Sequence, residues 1–394
     1  MASVTTVETV PPPVRAPRLL GLDAARFVAL IGMFAIHVMP LETEDGRPTV
    51  TELIAGGRSA ALFGVLAGVS VALATGGVHR PAAGRAHRGA AAGLAVRGLV
   101  IGVLGLGLIE IGTPAIVILP FYAVLFVLAG ALVRLTPRAL AISAVVACVV
   151  TPVISFVLRP GPLPEGSVEP TVATLAEPGE FLRILFVTGT YPVLTWITFL
   201  MAGMAIGRCD LRSRVNAVRL LAGGAALAVV AKVGSLVLLA AGGAAAIGED
   251  GLGRLLLGVT PTDTWWWLAV DGSHSGTPFF LAGSVGTSMA VLGAMLLLAR
   301  WSQRLVSVPA AVGSMPLTMY TMQLLVLDAS DPDPAVWTWL GYVMGAVVLG
   351  VGLRWTRQRG PLEAVVGGVS RAARRAVENP YGRHAIDVGE PARR

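Results

Sequence analysis

The sequence predicts an all-α protein: a polytopic membrane helix bundle of about ten transmembrane helices with both termini cytoplasmic. Three observations carry that expectation. Of 394 residues, 55% are hydrophobic and only 13% charged, where soluble domains carry about 25% charged residues. The apolar residues are gathered into runs of about 20, the length a helix needs to cross a hydrocarbon core of roughly 30 Å. The arginines collect at alternate ends of those runs, as cytoplasmic flanks do.

Taken in order, the runs fall at 19–40, 53–75, 93–112, 114–133, 139–158, 181–207, 217–247, 277–299, 306–328 and 335–354. The sixth and seventh exceed a simple span, so tilt, a kink or an extramembrane continuation is expected. Gly189 and Pro192 mark the break in the sixth, and no other run shows a comparable break. With the N-terminus inside, 22 arginines fall on inner loops and tails, against Arg47, Arg159 and Arg254 outside. The outer loops are acidic instead, through Glu42, Glu44 and Asp45, then Glu165, Glu169, Glu177 and Glu180, then Asp328, Asp331 and Asp333. The chain thus divides into a disordered lead over 1–18, a bundle over 19–354 and a basic cytoplasmic tail over 355–394. The lead holds Pro11, Pro12 and Pro13 and no apolar stretch, unlike a cleavable signal peptide. In the tail, Leu362, Val365, Val366, Val369, Ala373 and Val377 recur at helical spacing beside Arg371, Arg374 and Arg375. That short amphipathic helix suits either an anionic lipid interface or solvent.

The net charge of +7 follows this topology and gives no reason to expect nucleic-acid binding; among 30 basic residues only Lys232 is lysine. Two cysteines, Cys148 and Cys209, lie at different depths and read as structural. No phosphate-cradling loop, metal-ligand cluster or nucleophile elbow is present, so no metal is expected.

Charges inside spans cost roughly 2.5–3.5 kcal/mol and must pair, snorkel or line a wet cavity. Arg97 can snorkel to the inner surface, Arg183 to the outer, and Lys232 calls for a bundle-facing acid. In the first run, Asp23 and Arg26 are three residues apart and can pair. Arg26 and His37 are eleven apart, about three turns, so they share one stripe about 16 Å long. An imidazole at a membrane edge is as readily interfacial as catalytic. At the same outer level lie Arg58, which begins the second span, Glu110, which ends the third, and Asp271 and His274 in the sequence DGSHSGTPFF. Imidazole, carboxylate and guanidinium at one end of a bundle can serve an oriented general base, and the same groups can form a proton relay.

RLLGLDAARFVALIGMFAIHV resembles the opening of the transmembrane acyltransferase superfamily, and its Arg26 to His37 spacing is similar to that of acyltransferase-3 membrane proteins. The stretches GRSAALFGVLAGVSVAL, YPVLTWITFLMAGMAIGR, HSGTPFFLAGSVGTSMAVLG, GSMPLTMYTMQLLVL and RQRGPLEAVV resemble, in order, the bacterial heparan-alpha-glucosaminide N-acetyltransferase-like branch. The resemblance implies a bundle that passes an acyl group, most simply acetyl, from cytoplasmic acyl-CoA to a hydroxyl or amine of an envelope sugar or lipid. It gives His37 the role of base or transient acyl carrier and Arg26 that of acyl-CoA or structural anchor, with Arg58 and the His274 segment lining the pocket. Glu110 or Asp271 would orient an imidazole. It also implies a multi-pass protein of the bacterial inner membrane, surrounded by lipid, with a homo-oligomer left open. Two other classes compete: a proton-coupled transporter or exporter of a small molecule or lipid, and a non-catalytic partner of an envelope assembly. Two broken helices in corresponding halves would favour transport.

Overall fold

The computed structural model describes residues 18–159, 168–252, 255–327, 335–356, 358 and 360–379. The expected lead therefore lies outside the described residues, apart from Arg18, and so do the acids Glu165, Asp328, Asp331 and Asp333. Among the described residues the chain is helical, with no strand beyond one isolated bridge between Glu42 and Pro48. The helices are α1 (Leu20–Val38), α2 (Val50–Ala55), α3 (Arg58–Ala74), α4 (Arg85–Ile111), α5 (Leu119–Leu132), α6 (Pro137–Val157), α7 (Pro178–Arg183) and α8 (Val193–Gly207). They continue as α9 (Arg214–Leu238), α10 (Ala244–Ile247), α11 (Glu249–Leu252), α12 (Pro278–Trp301), α13 (Gln303–Val312), α14 (Pro316–Val326), α15 (Ala335–Trp355) and α16 (Pro361–Glu378).

Helix starts are written in the sequence. Thr136, Ser213 and Thr277 stand before α6, α9 and α12, where each side-chain oxygen accepts a first-turn amide, from Ala139, Asn216 and Phe280 respectively. Proline opens α6 and α12, where a missing N–H costs nothing.

Each of the ten expected runs contains helix among the described residues. Among the described residues, seven helical segments are long and apolar enough to cross a membrane, or nine if each of two bent pairs is one span. The run at 114–133 yields α5, whose 14 residues reach about 21 Å and fall short of a full crossing. The first bent pair, a π turn at Ile184–Thr188 after α7 followed by α8, turns by 54° across 189–192, where Gly189 and Pro192 placed it. The second corrects the sequence reading, which expected no further break: α13 and α14 meet at 56° across Gly313–Met315. Proline at 316 drives Met315 out of the helical region, to φ −136° and ψ 55°, and the helix must restart.

The core lies where α3 meets α8, around Trp196, Phe199, Leu66 and Phe280. Small residues set that distance. A Cβ on Gly203 would run into the Val65 carbonyl oxygen, and one on Gly68 into that of Leu200. At the arginine-rich end, Arg208 is buried and donates to the Ala72, Thr75, Gly77 and Val133 carbonyls and to Thr75 Oγ1, at 2.6–3.3 Å. One guanidinium thereby satisfies the orphan carbonyls that close α3 and α5. Helix α16 forms as expected, but its main contact is protein: it packs along α4 with Val366 buried, leaving Val365 and Val369 exposed.

Candidate active site

At the arginine-rich end of the first helix, the expected pair is present. Arg26 Nη1 donates to Asp23 Oδ1 at 2.6 Å, Arg26 Nη2 donates to Ser70 Oγ of α3 at 2.6 Å, and Arg18 reaches the other oxygen of Asp23 at 2.9 Å. Arg26 faces a cavity of about 250 Å³ whose polar lining includes Ser70, Arg97, Tyr122, Tyr320 and Glu363. Arg97 departs from the expectation that it snorkels to the surface. Its guanidinium lies over the Phe126 ring at 4.8 Å, and its buried Nε has no hydrogen-bond partner. Stacking on a ring keeps a cation tolerable in an apolar wall, and α4 carries Arg97 inward because Gly98 and Gly93 on the same helix bring α5 and α16 close. The remaining lining is mostly apolar, with Ile101, Ile118, Leu119 and Phe126 among it.

Toward the other end of α1, His37 Nδ1 lies 2.9 Å from Gln323 Oε1 on α14. A carbonyl oxygen can only accept, so with this amide orientation Nδ1 carries the proton and Nε2 keeps its lone pair. Sequence reading did not single out Gln323; its one signal was a lone amide inside the apolar run TMYTMQLLV. Tyr320, one turn earlier on α14, accepts from the Ile118 amide at 3.4 Å and lines the cavity.

The segment before α12 brings three expected residues together. Asp271 Oδ2 accepts from Arg58 Nη2 and from Lys232 Nζ, each at 3.3 Å, so Asp271 is the acid that Lys232 called for. Ser273 Oγ donates to the Gly56 carbonyl at 3.1 Å, docking this loop on the α2–α3 junction. Gly57 has φ 63°, and a Cβ there would stand 2.9 Å from the His274 amide nitrogen. His274 itself has φ 55°, alone among the described non-glycine residues in that region, a conformation held by its surroundings. Its ring meets Tyr191 edge-on at 5.3 Å, and its buried Nδ1 has no partner. Asp271 is thus engaged by two cations and makes no hydrogen bond to His274.

Glu110 is not brought to either imidazole; it is exposed and accepts from the Val172 amide at 2.8 Å, fastening the loop after residue 168. The sequence reading missed Glu169, counted only as one loop acid among several. Its carboxylate accepts from the Val117 amide at 2.5 Å, beside the Ile118 amide that serves Tyr320. The neighbouring Val168 carbonyl accepts from Thr190 in the first helix break. Burial raises the proton affinity of Glu169 above the usual carboxylate range, against the smaller opposing effect of the Val117 hydrogen bond.

The arrangement has two chemical ends. Guanidinium groups and a helix start gather at the arginine-rich end, suited to an anionic ligand, and imidazoles, tyrosines and a protonatable carboxyl gather toward the other. Among the described residues no group of three or more His, Cys, Asp and Glu side chains is placed to hold a metal.

No curated protein matches the chain. The family model described as heparan-alpha-glucosaminide N-acetyltransferase, catalytic, matches residues 18–240. The match spans more than half of the chain and includes Arg26, His37, Arg58, Arg97 and Glu110, and on it this multi-pass membrane protein belongs to the heparan-alpha-glucosaminide N-acetyltransferase family.

Proposed function

We propose that the protein transfers an acetyl group from acetyl-CoA, entering at the arginine-rich mouth of the cavity, to a hydroxyl or amine of an envelope sugar or lipid at the opposite end of the bundle. The observation that carries this reading is the cavity, whose lining combines Arg26 and Arg97 with Tyr122 and Tyr320. Tyr320 is one turn from the Gln323 that holds His37. The phosphates of the donor meet the guanidinium groups, and the thioester arm lies along the apolar wall. The positive-inside bias supports a cytoplasmic mouth in a bacterial inner membrane.

In the transfer, His37 Nε2 accepts the proton of the acceptor O–H or N–H as that oxygen or nitrogen bonds to the acetyl carbon. The C–S bond breaks, the CoA thiolate leaves, and the proton held on His37 passes to it, so that the imidazole is neutral again and charge balances over the step. Arg58, fixed by Asp271, is placed to bind the acceptor; His274, with Nδ1 unpartnered, is the alternative base.

The test is transfer of labelled acetyl from acetyl-CoA into envelope glycans and lipids by purified protein in proteoliposomes. Transport is the second reading, favoured by the second helix break, because two broken helices occur in transporters. Solute flux with no transfer from any acyl-CoA would replace the transferase reading with that one.

A further inference from the structure

The tail returns to the cavity after α15. Helix α16 lies along α4, and its first turn carries Glu363 into the cavity wall. There the carboxylate accepts from the Leu317 amide at 2.7 Å, the Thr318 amide at 3.1 Å and Thr318 Oγ1 at 2.5 Å. These donors form the first turn of α14, an 11-residue helix opened by Pro316. A helix start with its amides turned to one oxyanion is the geometry that binds phosphate. Arg97 and Arg26 face the same cavity, and the buried Arg97 Nε has no hydrogen-bond partner. Arg26 already has Asp23 and Ser70, whereas the acid that acts on Arg97 is Glu363 itself, so Arg97 is left without a counter-charge once Glu363 leaves.

We propose that Glu363 is a tethered stand-in for phosphate: a phosphate or pyrophosphate group takes the α14 helix start and Arg97, and Glu363 leaves with α16. The occupant is the donor's phosphate, which rests this inference on the function proposed above. Helix α16 is then a latch that closes the mouth when no donor is bound. The exposed Val365 and Val369, and the exposed Arg371 and Arg375, give the released helix an amphipathic face for the nearby membrane surface.

The test uses the full-length protein in neutral-lipid nanodiscs, with CoA and, separately, inorganic pyrophosphate as calorimetric probes. Removing the resident competitor should tighten both, by about tenfold for Glu363→Ala, as the closed fraction no longer lowers apparent affinity. Arg97→Gln should weaken both by a similar factor. Glu363→Gln keeps an accepting oxygen and therefore the helix cap; it should fold as the unmutated chain does and bind more tightly than it. Trypsin should cut at Arg371 and Arg375 faster when CoA is saturating. Equal or weaker binding in both Glu363 variants, or protection of the tail by CoA, would make Glu363 a structural cap and overturn the proposal. If pyrophosphate binds and tightens in Glu363→Gln while CoA does not bind, the seat stands and the acetyl-CoA reading falls. If only phosphatidylglycerol nanodiscs expose the tail, the seat takes a lipid headgroup and the donor assignment is overturned.

Discussion

The two imidazoles differ in what holds them, and that difference can be measured. His37 is oriented by Gln323, whereas His274 is held by backbone and by Tyr191. His37→Ala should lower acetyl transfer by 10²–10⁴, the range of a lost general base, and leave a monodisperse protein. Full transfer by His37→Ala with none by His274→Ala would move the base to the other imidazole. Arg208→Ala is a stability variant: it strands the Thr75, Gly77 and Val133 carbonyls and should cost at least about 3 kcal/mol, read as lost thermal stability in detergent. Lysine should not rescue it, because an ammonium cannot span that fork. Glu169 supplies a pH test. Its folded-state proton affinity is raised by burial, so its contribution favours the fold most at acid pH and declines as pH rises from the ordinary glutamate value through the raised one. Glu169→Gln should flatten the thermal stability profile across that window; an unchanged slope would show that another group sets it. Some of these residues were legible in the sequence and some were not. Asp23 with Arg26 follows from helical spacing, and Lys232 announces a need for an acid. Which acid it is, and that Arg97 turns inward, depend on neighbours far along the chain.

Elements were legible where composition changes sharply. Gly189 and Pro192 interrupt an apolar run, and the first bend is there. The second bend was hidden because SMP in GSMPLTMY reads as an ordinary apolar run with one proline, and only its geometry shows the restart. Short α5 was over-read for a related reason: Pro114 to Ile118 are apolar enough to extend the run, although the helix begins only at Leu119. Helix α14 joins the two chemical ends, with Leu317 and Thr318 at the mouth and Gln323 at His37. Gln323→Leu should leave the fold intact, since an apolar side chain of similar size suits the site, but release the His37 tautomer. Transfer should fall by at least about tenfold, part of what a general base contributes, with a shifted pH–rate profile. Unchanged transfer and an unchanged profile would show that the amide only fills space.

For the whole molecule the alternation of charge predicts an orientation that can be measured. A reporter fused after Arg88 or Arg375 should read cytoplasmic, and one in the Glu169–Glu177 loop external; a cytoplasmic signal from that loop would reverse or break the topology. The helix ends support a related division of rigidity. Arg208 ties α3, α5 and α8 together on the arginine-rich side, while the far side is assembled from the docked segment before α12 and the outer loop. The sequence announced a bundle but not this asymmetry, because a single arginine counted among loop residues makes the tie. Its consequence is mechanical. A bundle whose helices share such a clamp deforms like a cantilever, stiffest at its root, so motion in the far loops disturbs the α3–α5–α8 root least.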